Sequence, residues 1–263
     1  MKFSAILLLS SLVGTGVACG QSNNSKISSS SLDSIPQART DSLSLSVAPL
    51  PFDSIAVNYM PIDSIPDADK EIRYDSLSDE DFEIVARELD VEVAAIKAVV
   101  QIEAGKAMKG FLAPGVPIIN FDASMYRAYA HKAKNKKGDP NAKVPQGLSG
   151  YGLREWQQLV AHRKKNYDGA NMGTFWGMFQ IGGFNYKICG CESVDEFVEL
   201  MSKSEFAQLE LFARLIVNTG MIKDLKTKNW AGFARRYNGA SYKRRGYHTK
   251  MAAAYQKFKA QEK

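Results

Sequence analysis

The sequence contains few of the residues that build disulfide frameworks and metal sites. Its 263 residues include three cysteines and three histidines. Cys189 and Cys191 are separated by a single glycine, which is too close for an unstrained disulfide in most backbones. The histidines are scattered without ligand spacing, at positions 131, 162 and 248. We therefore expect no disulfide framework, no metal site and no cofactor.

Long hydrophobic runs are also lacking. The longest, from Phe3 to Val13, follows Lys2 and is shorter than the ~20 residues that a transmembrane helix needs. Residues 1–19 are therefore predicted to be a secretory signal peptide. Gly16-Val17-Ala18-Cys19 resembles a bacterial lipoprotein signal, which predicts lipidation of Cys19 and attachment to the cell envelope through a lipid anchor. The outer membrane is expected, facing either the periplasm or the cell surface. The alternative is a simple cleaved peptide with Cys19 incidental.

Residues 20–76 have the composition of a linker. They are rich in Ser, Asp and Pro, and they repeat Asp-Ser-Ile or Asp-Ser-Leu without a helical or strand period. This favours a disordered tether, although short strands that bind a partner remain an alternative. Residues 1–76 carry a net charge of −3, with five Lys or Arg against eight Asp or Glu, and residues 77–263 carry +9, with 29 against 20.

The basic charge of residues 77–263 predicts an anionic partner. For an exported chain this is the cell wall or the outer-membrane lipids, and no nucleic acid is expected. Three clusters supply the charge, although each taken singly is also compatible with an ordinary solvated surface: Lys132 to Lys137, Arg163 to Lys165, and Lys243 to Arg245.

One carboxylate ends an apolar helical face. Ile96, Val99, Val100 and Glu103 are spaced three and four residues apart, so they share one side of a helix. Burial and the nearby helix C-terminus are expected to raise the pKa of Glu103, as a general acid requires. The alternative is an ordinary glutamate at the solvent edge, with Gly105 as a C-cap.

The remaining pattern predicts a mainly helical domain over residues 77–263. Ser78 and Asp81 mark the start of a first helix that ends near Leu89, and Asp90 is predicted to cap a second helix from Val91 to about Ala104. A small hairpin is expected within residues 109–121, just before Asp122. Further helices are predicted at 153–165, after the capping pairs Ser193/Glu196 and Ser202/Glu205, at 230–237, and at 248–258.

Four stretches resemble, in order, the N-acetylmuramidase domain of phage endolysins, a branch of the lysozyme-like superfamily. They are Gln101-Ile102-Glu103-Ala104-Gly105, Ile118-Ile119-Asn120-Phe121-Asp122, Trp176-Gly177-Met178-Phe179-Gln180-Ile181 and Arg235-Arg236-Tyr237-Asn238-Gly239. The resemblance implies a lysozyme-like helical fold with a small β-hairpin beside the catalytic cleft. The chain departs from the family pattern at Ala104, Asp122, Ser124 and Phe175.

The resemblance also implies an activity. The family cleaves the β-1,4 bond between N-acetylmuramic acid and N-acetylglucosamine in peptidoglycan, with Glu103 in the position of the general acid. Asp122 is the candidate second carboxylate, weakened by its short side chain. Gln180 and Asn238 are candidates for orienting N-acetyl groups or water, and Tyr237 and Trp176 for lining the cleft, with core packing the alternative for Trp176.

Three other functions fit the same sequence. A lytic transglycosylase would cut the same bond but close a 1,6-anhydro ring on the muramyl sugar. A lipoprotein could keep the fold to bind the wall without chemistry, and a secreted toxin-like effector is a further alternative. In each case the expected partner is the glycan strand of peptidoglycan, bound by a monomer.

Overall fold

The computed structural model describes residues 76–105, 108–133 and 136–262. The predicted signal peptide, Cys19 and all of the predicted linker except Ser76 lie outside these residues. Within the described ranges the chain forms eleven α-helices and five short β-strands, in agreement with the mainly helical, lysozyme-like prediction.

The first two helices are separated by three residues. Helix α1, Asp79–Leu89, begins with the expected capping box. The Ser78 side chain accepts a hydrogen bond from the Asp81 backbone N–H, and the Asp81 carboxylate accepts one from the Ser78 backbone N–H. Asp90 does not cap the second helix as predicted. It ends α1 in the left-handed region, with φ 52°, a conformation that aspartate tolerates better than most residues. Helix α2 therefore starts later and spans Val93–Glu103.

A β-hairpin follows α2, as predicted. Strand β1, Phe111–Ala113, pairs antiparallel with β2, Val116–Pro117. Strand β3, Ile119–Phe121, does not extend this hairpin. It pairs with β4, Thr174–Trp176, which in turn pairs with β5, Ile181–Gly182. This second, three-stranded sheet joins parts of the chain that are more than 50 residues apart, so local pattern alone did not reveal it.

The other helices complete the domain around these strands. They are α3 Ala123–Ala130, α4 Gly150–Arg163, α5 Tyr167–Met172, α6 Val194–Lys203, α7 Glu205–Asn218, α8 Ile222–Lys226, α9 Trp230–Asn238, α10 Tyr242–Arg245 and α11 Tyr247–Gln261. A short 3-10 helix lies at Gly183–Asn185.

The two later capping pairs behave differently from each other. Ser193 accepts from the Glu196 backbone N–H at the start of α6, as predicted. Ser202 lies inside α6 and donates to the Val198 carbonyl, while the N-cap of α7 is Ser204. The second prediction was therefore wrong, because Ser204 caps α7 and Glu205 is its first residue, with its side chain accepting from the distant Gly110 N–H.

Helices α2 and α11 pack against each other, and both contribute residues to the core. Ala94, Ile96, Val99 and Val100 of α2 are all completely buried, and Met251 of α11 is too. The two helices run antiparallel, since the Glu262 carboxylate, just after α11, accepts from the Ala94 backbone N–H at the start of α2 over 2.9 Å. No described helix is long and apolar enough to cross a membrane.

Candidate active site

Glu103 is the last residue of α2 and one of its most buried polar groups. Only 3% of its surface is exposed, on the same helical face as the buried Val99 and Val100. Ala104 forms the C-cap and Gly105 follows with φ 78°, a left-handed conformation that favours glycine. The predicted burial of Glu103 is confirmed, and the predicted glycine, Gly105, follows the end of the helix.

The carboxyl of Glu103 is held by Asn238, the last residue of α9. Asn238 Nδ2 lies 3.1 Å from each of the two Glu103 carboxyl oxygens. Two residues 135 positions apart in the chain thus form a single buried pair, and both were predicted site residues.

The amide oxygen of Asn238 lacks a contact of the kind that its amide nitrogen makes. Asn238 is only 4% exposed, and its Oδ1 atom is buried without a hydrogen-bond partner among the described residues. An unpartnered buried acceptor carries a free-energy cost, which an incoming donor removes. The pair therefore combines a buried carboxyl with an amide oxygen that can accept a hydrogen bond from a ligand or a water molecule.

Tyr237 positions the end of α9. Its hydroxyl donates to the Phe179 carbonyl over 2.7 Å, and its ring stacks on Phe233 and meets Phe212 edge-on. With 3% of its surface exposed, Tyr237 packs in the core beside the Glu103–Asn238 pair. Its contacts fix the helix turn that presents Asn238.

Gln180 belongs to the tight turn between β4 and β5. Its backbone adopts φ 51°, and its side-chain Nε2 donates to the Gly177 carbonyl over 2.9 Å. The side chain is only partly buried. Gln180 is therefore committed to its own turn, and no hydrogen bond joins it to Glu103 in the part of the chain that the structure describes.

Trp176 is completely buried. Its indole N–H donates to the Asn171 carbonyl over 3.0 Å, and its ring meets Trp156 edge-on with the Arg163 guanidinium nearby. The structure thus places Trp176 in the core. Arg163, from one of the three basic clusters, is likewise a packing residue, and burial lowers the pKa of its guanidinium.

Asp122 caps a helix. Its Oδ1 accepts from the backbone N–H groups of Ser124 and Met125 over 2.7 and 2.9 Å, at the start of α3. An aspartate in this position is among the best N-caps. The carboxylate that resembles the family's second acid therefore caps a helix, and no hydrogen bond joins it to Glu103 within the described residues.

Three buried polar residues support the strands and were missed by the sequence analysis. Gln208 of α7, completely buried, accepts from the Met178 N–H over 2.8 Å and donates to the Met201 carbonyl over 2.8 Å. Glu205 accepts from the Gly110 N–H just before β1, and Glu155 of α4 accepts from the Phe121 N–H of β3. Burial raises the pKa of Glu155, opposed by that hydrogen bond.

A signal for Gln208 was present in the sequence. It lies three and four residues before Leu211 and Phe212, so it shares the apolar face of α7. A polar side chain on such a face has to find buried partners. What the sequence did not supply was the identity of those partners, which come from the β4–β5 turn and from α6.

The two remaining thiols are inert in this environment. Cys189 and Cys191 are free and buried, and burial raises the pKa of Cys191 to about 12 and that of Cys189 further above its ordinary value. Within the described ranges, no three His, Cys, Asp or Glu side chains come together as a metal ion would require.

Comparison with known proteins identifies a family for most of the described chain. Residues 92–259 match the family model described as Muramidase, N-acetylmuramidase. The match extends from the residue before α2 almost to the end of α11, so it contains Glu103, Asn238 and every strand.

A solved structure gives independent support. The chain is similar to a Burkholderia AP3 phage endolysin, with 32% identity, coverage of 72% of each chain and a TM-score of 0.61. Among curated proteins, none matches. Because the family model covers well over half of its length, the chain belongs to the N-acetylmuramidase family and is a glycoside hydrolase of the lysozyme-like type.

Proposed function

We propose that this protein cleaves the β-1,4 bond between N-acetylmuramic acid and N-acetylglucosamine in peptidoglycan, with Glu103 as the general acid. The observation that carries the proposal is the buried Glu103–Asn238 pair, formed at the joined ends of α2 and α9. Family membership supports peptidoglycan as the substrate, and the pair contains Glu103, the proposed proton donor.

In the proposed reaction Glu103 takes up a proton and delivers it to the glycosidic oxygen. Positive charge then builds on the muramyl ring as the bond to the leaving sugar lengthens. Asn238 Nδ2 orients both carboxyl oxygens, which fixes the direction of proton transfer. Once the proton has left, the same amide donor stabilises the carboxylate that remains.

The second role in glycoside cleavage is assigned to Asn238 and a water molecule. Asn238 Oδ1 is the acceptor that would hold the attacking water or the acetamido N–H of the substrate. Asp122 is the less suitable candidate, because its Oδ1 already accepts two backbone hydrogen bonds at the start of α3. We therefore give Asp122 a structural role.

The test is the pair of variants Glu103→Gln and Asp122→Asn. Glutamine keeps the size and hydrogen-bonding capacity of Glu103 but cannot donate a proton at neutral pH, so clearing of a peptidoglycan suspension should fall by about 10²- to 10⁴-fold. Asparagine is an equally good N-cap, so Asp122→Asn should clear the suspension at nearly the parent rate. Full activity of Glu103→Gln would remove Glu103 from the mechanism.

Product analysis separates hydrolysis from lytic transglycosylation. Dependence on Glu103, with Asp122 engaged in a helix cap, is compatible with both outcomes, because a transglycosylase uses the muramyl 6-hydroxyl in place of water. Mass spectrometry of the digest should show reducing muramic acid ends. Anhydro ends 18 Da lighter, one water by mass, would assign the transglycosylase reaction, and an undigested wall would leave the binding alternative.

A further inference from the structure

The basic residues of the last three helices are not balanced by acids in the same part of the sequence. Between Asp224 and Glu262 there are ten Lys or Arg and no Asp or Glu. This stretch includes α9, α10 and α11, and it also includes Asn238. Any acidic partner for these ten residues has to come from elsewhere in the fold.

At one end of the α2–α11 pair, acidic side chains form ion pairs with these basic residues. Lys226 pairs with Asp90 over 3.0 Å, Lys228 pairs with Glu92, and Lys259 lies 2.9 Å from both Glu92 and Glu262. Asp90 and Glu92 immediately precede α2. The basic residues around the start of α2 are therefore largely neutralised.

At the other end the charge remains open. Lys243 and Arg244 on α10 and Lys250 in the first turn of α11 are exposed, and none has an acidic side chain within ion-pair distance in the part of the chain that the structure describes. Such uncompensated charge on an enzyme surface attracts an anionic ligand.

This open charge lies near the catalytic pair. Asn238, which contacts Glu103, is followed after three residues by α10. The antiparallel α11 places its first turn toward the Glu103 end of α2, because its last turn reaches Glu92 and Ala94. The neutralised and open groups of basic residues are thus at opposite ends of one helix pair.

We propose that Lys243, Arg244 and Lys250 bind the carboxylates of the peptide stems that the glycan strand carries beside the scissile bond. The inference rests on the proposed function, since it names the part of the same substrate that this surface recognises. Stem peptides and free lactyl groups both present carboxylates on the muramyl sugar. Lys243 and Lys250 offer flexible point charges, whereas Arg244 offers a planar fork that matches a carboxylate.

The test measures binding without cleavage. In the full chain carrying Glu103→Gln, the double variant Lys243→Ser/Arg244→Ser is compared with the control Lys223→Ser/Lys257→Ser. The control removes two exposed lysines that are close in sequence to the paired Lys226 and Lys259. Both double variants lose two positive charges, so the change in net charge is the same. Dissociation constants come from co-sedimentation with purified sacculi, either native or with their carboxyls converted to neutral amides with ethanolamine.

On native sacculi the double variant should bind roughly threefold to tenfold more weakly than the parent, and the control should stay within about twofold. Converting the carboxyls should weaken the parent by a similar factor and abolish the difference between parent and double variant. Equal binding of native and converted sacculi by the parent would overturn the proposal. An equal loss in the control, or a larger loss on phosphatidylglycerol vesicles than on sacculi, would overturn it as well.

The binding result and the cleavage result are separable. If Glu103-containing protein leaves the glycan intact but sacculus binding still depends on carboxylates and on Lys243 and Arg244, the proposed reaction fails and the surface assignment holds. If the glycan is cut and carboxyl conversion has no effect on binding, the reaction holds and the surface assignment fails. Thermal unfolding of each variant tests whether both double variants are folded.

Discussion

The catalytic proposal depends on a contact between two side chains that come from the ends of two helices. Glu103 supplies the carboxyl and Asn238 supplies the donor, and neither is more than 4% exposed. In so dry a setting a hydrogen bond is stronger than in water. The Asn238 amide therefore helps to fix the geometry of the acid.

Asn238→Ala is the direct test of that dependence. The substitution removes the Nδ2 donor that contacts both Glu103 oxygens, so the rate of reducing-end release should fall by about tenfold to a hundredfold, as expected for lost orientation of an acid. Gln180→Ala is the matched control, because that side-chain amide donates to the Gly177 carbonyl of its own turn. Equal losses in the two variants would contradict a specific role for Asn238.

Gln208 matters for stability more than for chemistry. Gln208→Leu leaves the Met178 N–H and the Met201 carbonyl buried without their partner, so the free energy of unfolding should fall by about 2 to 4 kcal/mol. Urea titration measures the change. Gln256→Leu makes the same substitution at an exposed position of α11 and should alter stability by less than ~0.5 kcal/mol.

At the scale of elements, the α2–α11 pair is tied at one end by a charge network. Glu92 accepts from Tyr255 and pairs with Lys228 and Lys259. The hydrogen bond from Lys228, followed by those from Lys259 and Tyr255, lowers the pKa of Glu92 from 4.5 to about 2. Glu262 adds the missing cap of α2, which has no side-chain cap of its own.

The network predicts a pH-dependent contribution to stability. A carboxyl whose pKa is lower in the folded state stabilises that state fully above pH 4.5, and the contribution disappears as the pH falls toward 2. Because these side chains are about one-third or more exposed, solvent screening limits the effect to about 1 kcal/mol. Glu92→Gln should therefore lose about that much at pH 7 and almost nothing at pH 2.

Urea unfolding at the two pH values measures the difference. Glu83→Gln, which removes one carboxylate from the exposed side of α1, is the control. A Glu92→Gln variant with the same stability deficit at pH 2 as at pH 7 would show that the residue stabilises α2 by packing and not by charge.

At the scale of the whole molecule, the prediction concerns where the enzyme is held. The Gly16-Val17-Ala18-Cys19 sequence predicts a lipidated cysteine, and residues 20–76 predict a tether on the order of 40 Å in typical span. Cys19→Ala should move the protein from the membrane fraction to the soluble fraction, with unchanged specific activity on isolated sacculi. A Cys19→Ala protein that still fractionates with membranes would exclude the lipid anchor.

Much of the helical architecture could be predicted because its signals are local. Ser78 and Asp81 occur three residues apart, and Ile96, Val99, Val100 and Glu103 share one helical face whatever the rest of the chain does. Errors arose where a distant group competes with the local one. Glu205 bonds to Gly110 and does not complete a capping box with Ser202, and Glu262 supplies the α2 cap that Asp90 was expected to form.

The sequence by itself determined the helical class of the domain, the buried face that ends in Glu103, and the resemblance to the muramidase family. Only the tertiary structure decided what each polar residue does. It joined Asn238 to Glu103, placed Trp176 and Tyr237 in the core, and engaged Asp122 in a helix cap. The physical reason is that burial and hydrogen-bond partners depend on contacts between distant segments, which local sequence pattern does not encode.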